Sequence, residues 1–140
     1  MKRRKAREYA VQILFQHDFT GTRPDIDAFF EDKKEDREVI SFASDIVRGA
    51  LGHLEEIDLA IKAAAEHWDI GRMGAVDRNI IRAAAYEILY RKDIPPAVTI
   101  NEALEISKKF SPQESAPFIN GILDKISRSA STMDRAAGQR

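Results

Sequence analysis

Asp93-Ile-Pro-Pro-Ala-Val-Thr-Ile-Asn-Glu-Ala-Leu-Glu-Ile-Ser-Lys-Lys-Phe-Ser-Pro-Gln-Glu-Ser-Ala-Pro-Phe-Ile-Asn-Gly-Ile-Leu-Asp-Lys125 reads as two helix starts in close succession. Thr99 with Glu102 three residues later makes one capping box, in which each side chain satisfies an amide of the first turn. Ser111 with Glu114 makes a second, with Pro112 at the first helical position, where its missing N–H costs nothing. Pro117 cannot sit deep inside a helix that starts at Ser111, because it would lack an interior hydrogen bond. Either the first turn ends there, or Ser115 recaps the chain and Pro117 falls in a new first turn. Phe118, Ile119, Ile122, Leu123 and Ile126 then form a buried helical stripe, and from Ser127 small polar residues predict a mobile tail.

Upstream, Ala75 to Tyr90 is rich in Ala, Ile and Leu and stops before Ile94-Pro95-Pro96, where proline restricts the preceding residue. Trp68 to Gly74, with two glycines, marks the boundary before it. Ala6, Tyr9, Ala10, Ile13, Leu14 and His17 share one helical face, with Phe15 off that stripe. Val39, Phe42, Ala43, Ile46, Val47, Ala50 and Leu51 repeat the spacing. Gly49 and Gly52 predict a break near Gly52, after which Leu54, Ile57 and Ile61 begin another face. Asp25 can cap a short helix carrying Phe29 and Phe30, and the charged stretch from Glu31 to Glu38 reads as a loop. No stretch alternates with period two. The fold class is all-α, a compact bundle of about seven helices, with residues 1–128 as one domain and 129–140 as a flexible tail.

The 140 residues suffice for one domain with its own core, and 44% hydrophobic with 32% charged residues suit a globular chain. No apolar run reaches the roughly 20 residues that span a bilayer, so no membrane association is expected and a cytoplasmic address is the default. Without Cys there is no disulfide framework and no thiolate metal site. Five of the 22 basic residues and none of the 23 acids fall in the first seven positions, leaving the body with 17 bases against 23 acids. A basic segment on an acidic body points to a localised polyanion contact, or to a solvated, frayed N-terminus. Lys2, Arg3, Arg4, Lys5 and Arg7 are the cations concerned.

Catalytic chemistry has no foothold. His17, His53 and His67 are too far apart to ligate a metal as a helical pair, and no phosphate loop or nucleophile elbow occurs. Glu55, Glu56 and Asp58 read as a solvated helix face. No enzyme activity, metal or cofactor is expected.

Three blocks carry a resemblance. Arg4-Lys-Ala-Arg-Glu-Tyr-Ala-Val-Gln-Ile-Leu-Phe-Gln16, then Trp68-Asp-Ile-Gly-Arg-Met73 with Val76-Asp-Arg-Asn-Ile-Ile-Arg82 and Tyr86-Glu87, then Asp93 to Lys125 resemble, in order, the NusB family of bacterial transcription antitermination factors. The resemblance implies two three-helix bundles packed across each other. It implies a factor that binds the single-stranded boxA RNA of ribosomal RNA leaders jointly with NusE, a small-subunit ribosomal protein, and joins the transcription elongation complex. It also extends to the RNA-binding domain of a ribosomal RNA cytosine methyltransferase, but a chain without Cys is not expected to be that enzyme. A helical protein-interaction module whose basic segment is incidental is the alternative. Whether the chain alone is a monomer or a homodimer is left open.

For RNA, arginine forks reach phosphates, and splayed bases need flat surfaces to stack on. The resemblance makes Phe118 such a platform beside the basic segment, while periodicity alone places it in the core. Where the family often has a basic residue before this Phe, the chain has Pro117. The resemblance likewise assigns Phe15 and Asp77, which otherwise read as surface residues, to the NusE-binding face. Asn101, Glu102, Asn120 and Gly121 read as architecture, with Gly121 permitting close approach of two helices.

Overall fold

A computed structural model describes residues 2–66 and 69–138, and all regular structure among them is helical. α1 (Lys2–Thr20), α2 (Ile26–Glu31) and α3 (Arg37–Gly52) form one unit. α4 (Leu54–Ala65), a 3-10 turn (Ile70–Arg72), α5 (Ala75–Tyr90), α6 (Pro96–Phe110) and α7 (Ser115–Gly138) form the other. α1 packs along α3 and across α5, while α5, α6 and α7 make a second three-helix bundle with α4 laid on α5 and α7. Two bundles therefore cross at α1 and α5. His67 and Trp68 lie outside the described residues.

The apolar stripes close this arrangement. Ala6, Ala10, Ile13 and Leu14 of α1 meet Val39, Phe42, Ala43, Ile46, Val47 and Ala50 of α3, and Ile119, Ile122, Leu123 and Ile126 of α7 are buried in the same core. The chain breaks at His53, immediately after Gly52, and Asp25 caps α2 by accepting the Ala28 amide. Gly49 permits a tight crossing: a Cβ there would lie 2.1 Å from the Tyr86 ring of α5. Tyr86 in turn donates to Asp45, one helical turn away on α3.

Both expected capping boxes are corrected. α6 starts at Pro96, with Pro95 in the cap position, because a proline at the first helical position has its φ already set and no amide to satisfy. Thr99 is thus one turn inside α6, buried, and its hydroxyl donates to Glu87 (3.0 Å), while Glu102 binds Arg4. Ser111 terminates α6 and donates to Asp77 instead of opening a helix. α7 begins at Ser115 with Pro117 in its first turn, the second of the two arrangements that Pro117 allowed. It then stays helical to Gly138, and Ala130 is buried. Gly121 is corrected too: it is exposed, and a Cβ there meets nothing within 4 Å. Asn101 and Asn120 are likewise exposed, while Glu102 ties α6 to α1 through Arg4.

Candidate nucleic-acid and partner interfaces

Helix begins at Lys2, so the basic segment is the first two turns of α1, docked against its neighbours. Arg7 is 5% exposed and makes a bidentate pair, both bonds 2.8 Å, with Glu87, itself 1% exposed. The expectation that Arg7 reaches RNA is therefore corrected. The guanidinium is almost wholly shielded from solvent and two of its nitrogens are bonded to a buried carboxylate, so it is not presented to a phosphate at the surface, and the pair locks α1 onto α5. Arg4 is bidentate to Glu102 of α6 at 2.6 and 3.1 Å, which holds the Glu102 carboxyl below its ordinary pKa. Lys5 meets Glu35 at 2.6 Å, and the same carboxylate accepts from the Tyr9 hydroxyl at 2.5 Å. These bonds, that from Lys5 first, hold Glu35 low. Lys2 bridges Asp36 (3.2 Å) and Glu38 (3.6 Å), with more than half of its side chain exposed.

Arg3 differs from the other four. It is exposed, lies 4.7 Å over the Phe42 ring, and among the described residues has no carboxylate within ion-pair distance. Arg7 and Arg91 approach the same ring at 5.1 and 5.3 Å, so three guanidiniums surround one aromatic side chain of α3. Arg91 is held by Asp45 (2.7 Å) and by both oxygens of Asp93 (3.0 Å each). Sequence reading missed Phe42 and Arg91 as parts of this face, since the first read as core and the second as the end of α5.

Ten residues of α5 separate Glu87, beside Arg7, from Asp77, about 15 Å at 1.5 Å per residue. A different surface lies at that end. Phe15 is half-buried and lines an open groove of about 340 Å³ with Glu8, Val11, Gln12, Val76 and Phe110. Phe110 is 42% exposed, and no sequence signal had marked it. Asp77 adjoins this groove through Val76, but its carboxylate points into the protein: one oxygen accepts from Ser111 (2.6 Å), the other from Ser115 (2.7 Å). It fixes the α6–α7 turn and so the position of Phe110. The structure brings Phe15 and the start of α5 together, and gives Asp77 a positioning task.

Phe118 is half-buried against the core on the first turn of α7, three residues after Ser115 and hence near the Asp77 end of α5. Pro117, next to it, is exposed.

Asp58, expected on a solvated helix face, and Asp18 are structural. Asp58 accepts both Arg82 bonds (2.8 Å each), and Asp18 accepts from Arg78 and Asn79, tying α1 and α4 to α5. Burial raises the Asp18 pKa, but the bonds from Arg78 and Asn79 outweigh it and the carboxyl sits below its ordinary value. His53 stacks on Tyr90 with ring centroids 3.9 Å apart.

The sequence profile described as the NusB family matches residues 4–128. A transcription antitermination protein NusB of Desulfitobacterium hafniense is 46% identical, covering 96% of this chain and 93% of its own length. The structure of T. maritima NusB superposes with a TM-score of 0.80 at 39% identity, covering 90% of each chain. A structure of antitermination factors NusB and NusE in complex with double-stranded RNA gives a TM-score of 0.83 at 28% identity, covering 91% of this chain and 97% of that one.

Proposed function

The chain belongs to the NusB family of transcription antitermination proteins, and from that premise we propose that it is a non-enzymatic adaptor that binds boxA-type single-stranded RNA jointly with NusE in the cytoplasm and carries both to the transcribing polymerase. The observation that carries this reading is the division of α1. Its first turn presents Lys2 and Arg3 to solvent beside Phe42, and its fourth turn presents Phe15 in an apolar groove closed by Val76 and Phe110. One rigid helix thus connects a cationic face to an apolar one.

An aromatic groove with polar rim residues suits a protein partner, and an acidic body steers a basic one toward it. Each surface is modest alone. Binding of both ligands along one helix lets each contact the other as well as the chain, which makes binding cooperative. Linkage then requires the RNA to tighten the NusE complex by the factor with which NusE tightens RNA, a coupling of about 1–3 kcal/mol.

A titration of boxA RNA with and without saturating NusE tests the reading. The expected result is a tighter RNA complex, by roughly 5- to 150-fold, when NusE is present. Equal affinities with and without NusE would refute it. The second reading, a protein-interaction module without RNA contact, has one observation in its favour: four of the five N-terminal cations are paired with the chain's own carboxylates. It requires NusE to bind with full affinity while RNA adds nothing.

A further inference from the structure

Between the first turn of α1, the first two turns of α3 and the end of α5 lies an open cleft of about 570 Å³, with Lys2, Arg3, Arg37, Ser41, Phe42 and Arg91 in its walls. Glu38 and Asp45 also line it. Most of its charge is already matched: Lys2 by Asp36 and Glu38, Arg91 by Asp45 and Asp93. Two guanidiniums are not. Arg3 lies over the Phe42 ring and feels Asp93 only at longer range, without an ion pair among the described residues, and Arg37 is exposed in the first turn of α3. Ser41 follows Arg37 by four residues, so the hydroxyl and the guanidinium share one helical face and open into the same space.

We propose that this cleft is a phosphate-binding subsite for the RNA backbone, with Arg37 and Arg3 gripping one phosphodiester from two helices and Ser41 donating a further hydrogen bond. The proposal rests on the RNA-binding function above and adds α3 to it. Two guanidinium forks that line one cleft without an ion pair among the described residues suit a phosphate, which accepts bidentate bonds from arginine. Phe42 forms the floor but is only 9% exposed, so no base can stack on its face. The subsite therefore holds the strand without reading its sequence.

Fluorescence anisotropy with boxA RNA and with a permuted RNA of equal length, in the presence of NusE and over a range of salt, tests this. Arg37→Gln, Ser41→Ala and Arg3→Gln are compared with Arg23→Gln, which removes an exposed charge outside the cleft. One phosphate contact on a single strand contributes about −0.7 to the slope of log K against log salt. Arg37→Gln should make the slope shallower by about that amount and weaken binding roughly fivefold at about 0.1 M salt, taking about 1 M as the screened reference. Both RNAs should lose equally, Ser41→Ala should weaken both without changing the slope, and Arg23→Gln should stay within about twofold of the parent. If Arg37→Gln behaves like Arg23→Gln while the parent binds RNA, the subsite is refuted and the function stands. A loss confined to boxA overturns the backbone assignment, because Arg37 would then read a base. A poly-glutamate peptide that displaces RNA as well as an RNA of equal charge does overturns the choice of phosphate over carboxylate. A parent that binds neither RNA, with or without NusE, overturns both readings.

Discussion

Arg7→Met is the substitution that separates a structural cation from an RNA contact. It removes a guanidinium that is bonded through two nitrogens to Glu87, leaving a carboxylate that is 1% exposed and, among the described residues, bonded to the Thr99 hydroxyl alone. Breaking a buried pair from one side costs about 3–5 kcal/mol, because the remaining charge is desolvated and uncompensated. Against a total stability of about 5–15 kcal/mol, that is a large fraction. With an unfolding entropy of about 2.1 cal/mol/K per residue over 140 residues, it lowers Tm by about 10–17 °C. Thermal unfolding followed by circular dichroism measures it. Replacing both partners, Arg7→Met with Glu87→Met, removes the stranded charge and should recover most of the loss, since apolar substitutes for buried ion pairs are often neutral or better. A single variant that melts within about 2 °C of the parent yet binds RNA weakly would refute the argument and return Arg7 to the RNA face.

Gly121→Ala should raise stability by about 0.5–1 kcal/mol, because the site is helical, exposed and open, whereas Gly49→Ala should lower it by about 1–3 kcal/mol by driving a methyl group into the Tyr86 ring. Urea unfolding of the two variants checks both signs. Phe15→Asp and Phe110→Asp should each abolish detectable NusE binding in calorimetric titration while leaving Tm near that of the parent; unchanged affinity in both would move the partner face away from the groove. Asp36→Asn with Glu38→Gln frees Lys2 and should steepen the salt dependence of RNA binding by about 0.7 in log–log slope; an unchanged slope would mean Lys2 does not reach a phosphate. Asp18, Glu35 and Glu102 are held below their ordinary values, so their contribution to stability is complete above the unfolded carboxylate pKa of about 4 and is lost as pH falls through the lower folded values. Melting curves between about pH 6 and 3 should show Tm flat at first and then falling, and a Tm that rises on acidification contradicts the pairing.

What was legible in the sequence was what repeats along it. The stripes Ala6, Ala10, Ile13, Leu14 and Val39, Phe42, Ala43, Ile46, Val47 had to face a core at 3.6 residues per turn, and α5 could be bounded at Ala75 and Tyr90 from composition and the prolines that follow. The two capping boxes failed for a physical reason. A Thr-x-x-Glu pattern is a local offer, and both Thr99 and Glu102 received stronger long-range ones: Thr99 from Glu87 and Glu102 from Arg4, 98 positions away. Pro96, which needs no cap, had already started the helix. Ser111 likewise went to Asp77, 34 positions earlier.

The same logic decides the site. Counting charges located a basic segment, but a count carries no information about which carboxylates folding will bring to it. Folding brings Glu35, Asp36, Glu38, Glu87 and Glu102. The N-terminal cations therefore divide by depth. Arg7 is buried and joins the two bundles; Arg4 and Lys5 fasten α1 to α6 and to the α2–α3 loop; Lys2 and Arg3 stay near solvent at the tip. A strand of RNA arriving at this surface meets carboxylates already occupying several of the positions its phosphates would take. Binding there is an exchange of one anion for another, which costs the free protein nothing while RNA is absent and keeps the intrinsic affinity of the cationic end low. An adaptor whose RNA affinity is low by construction depends on its second face. On the function proposed above, the Phe15 groove and the Arg3 cleft, both built on α1, take part in a single binding event.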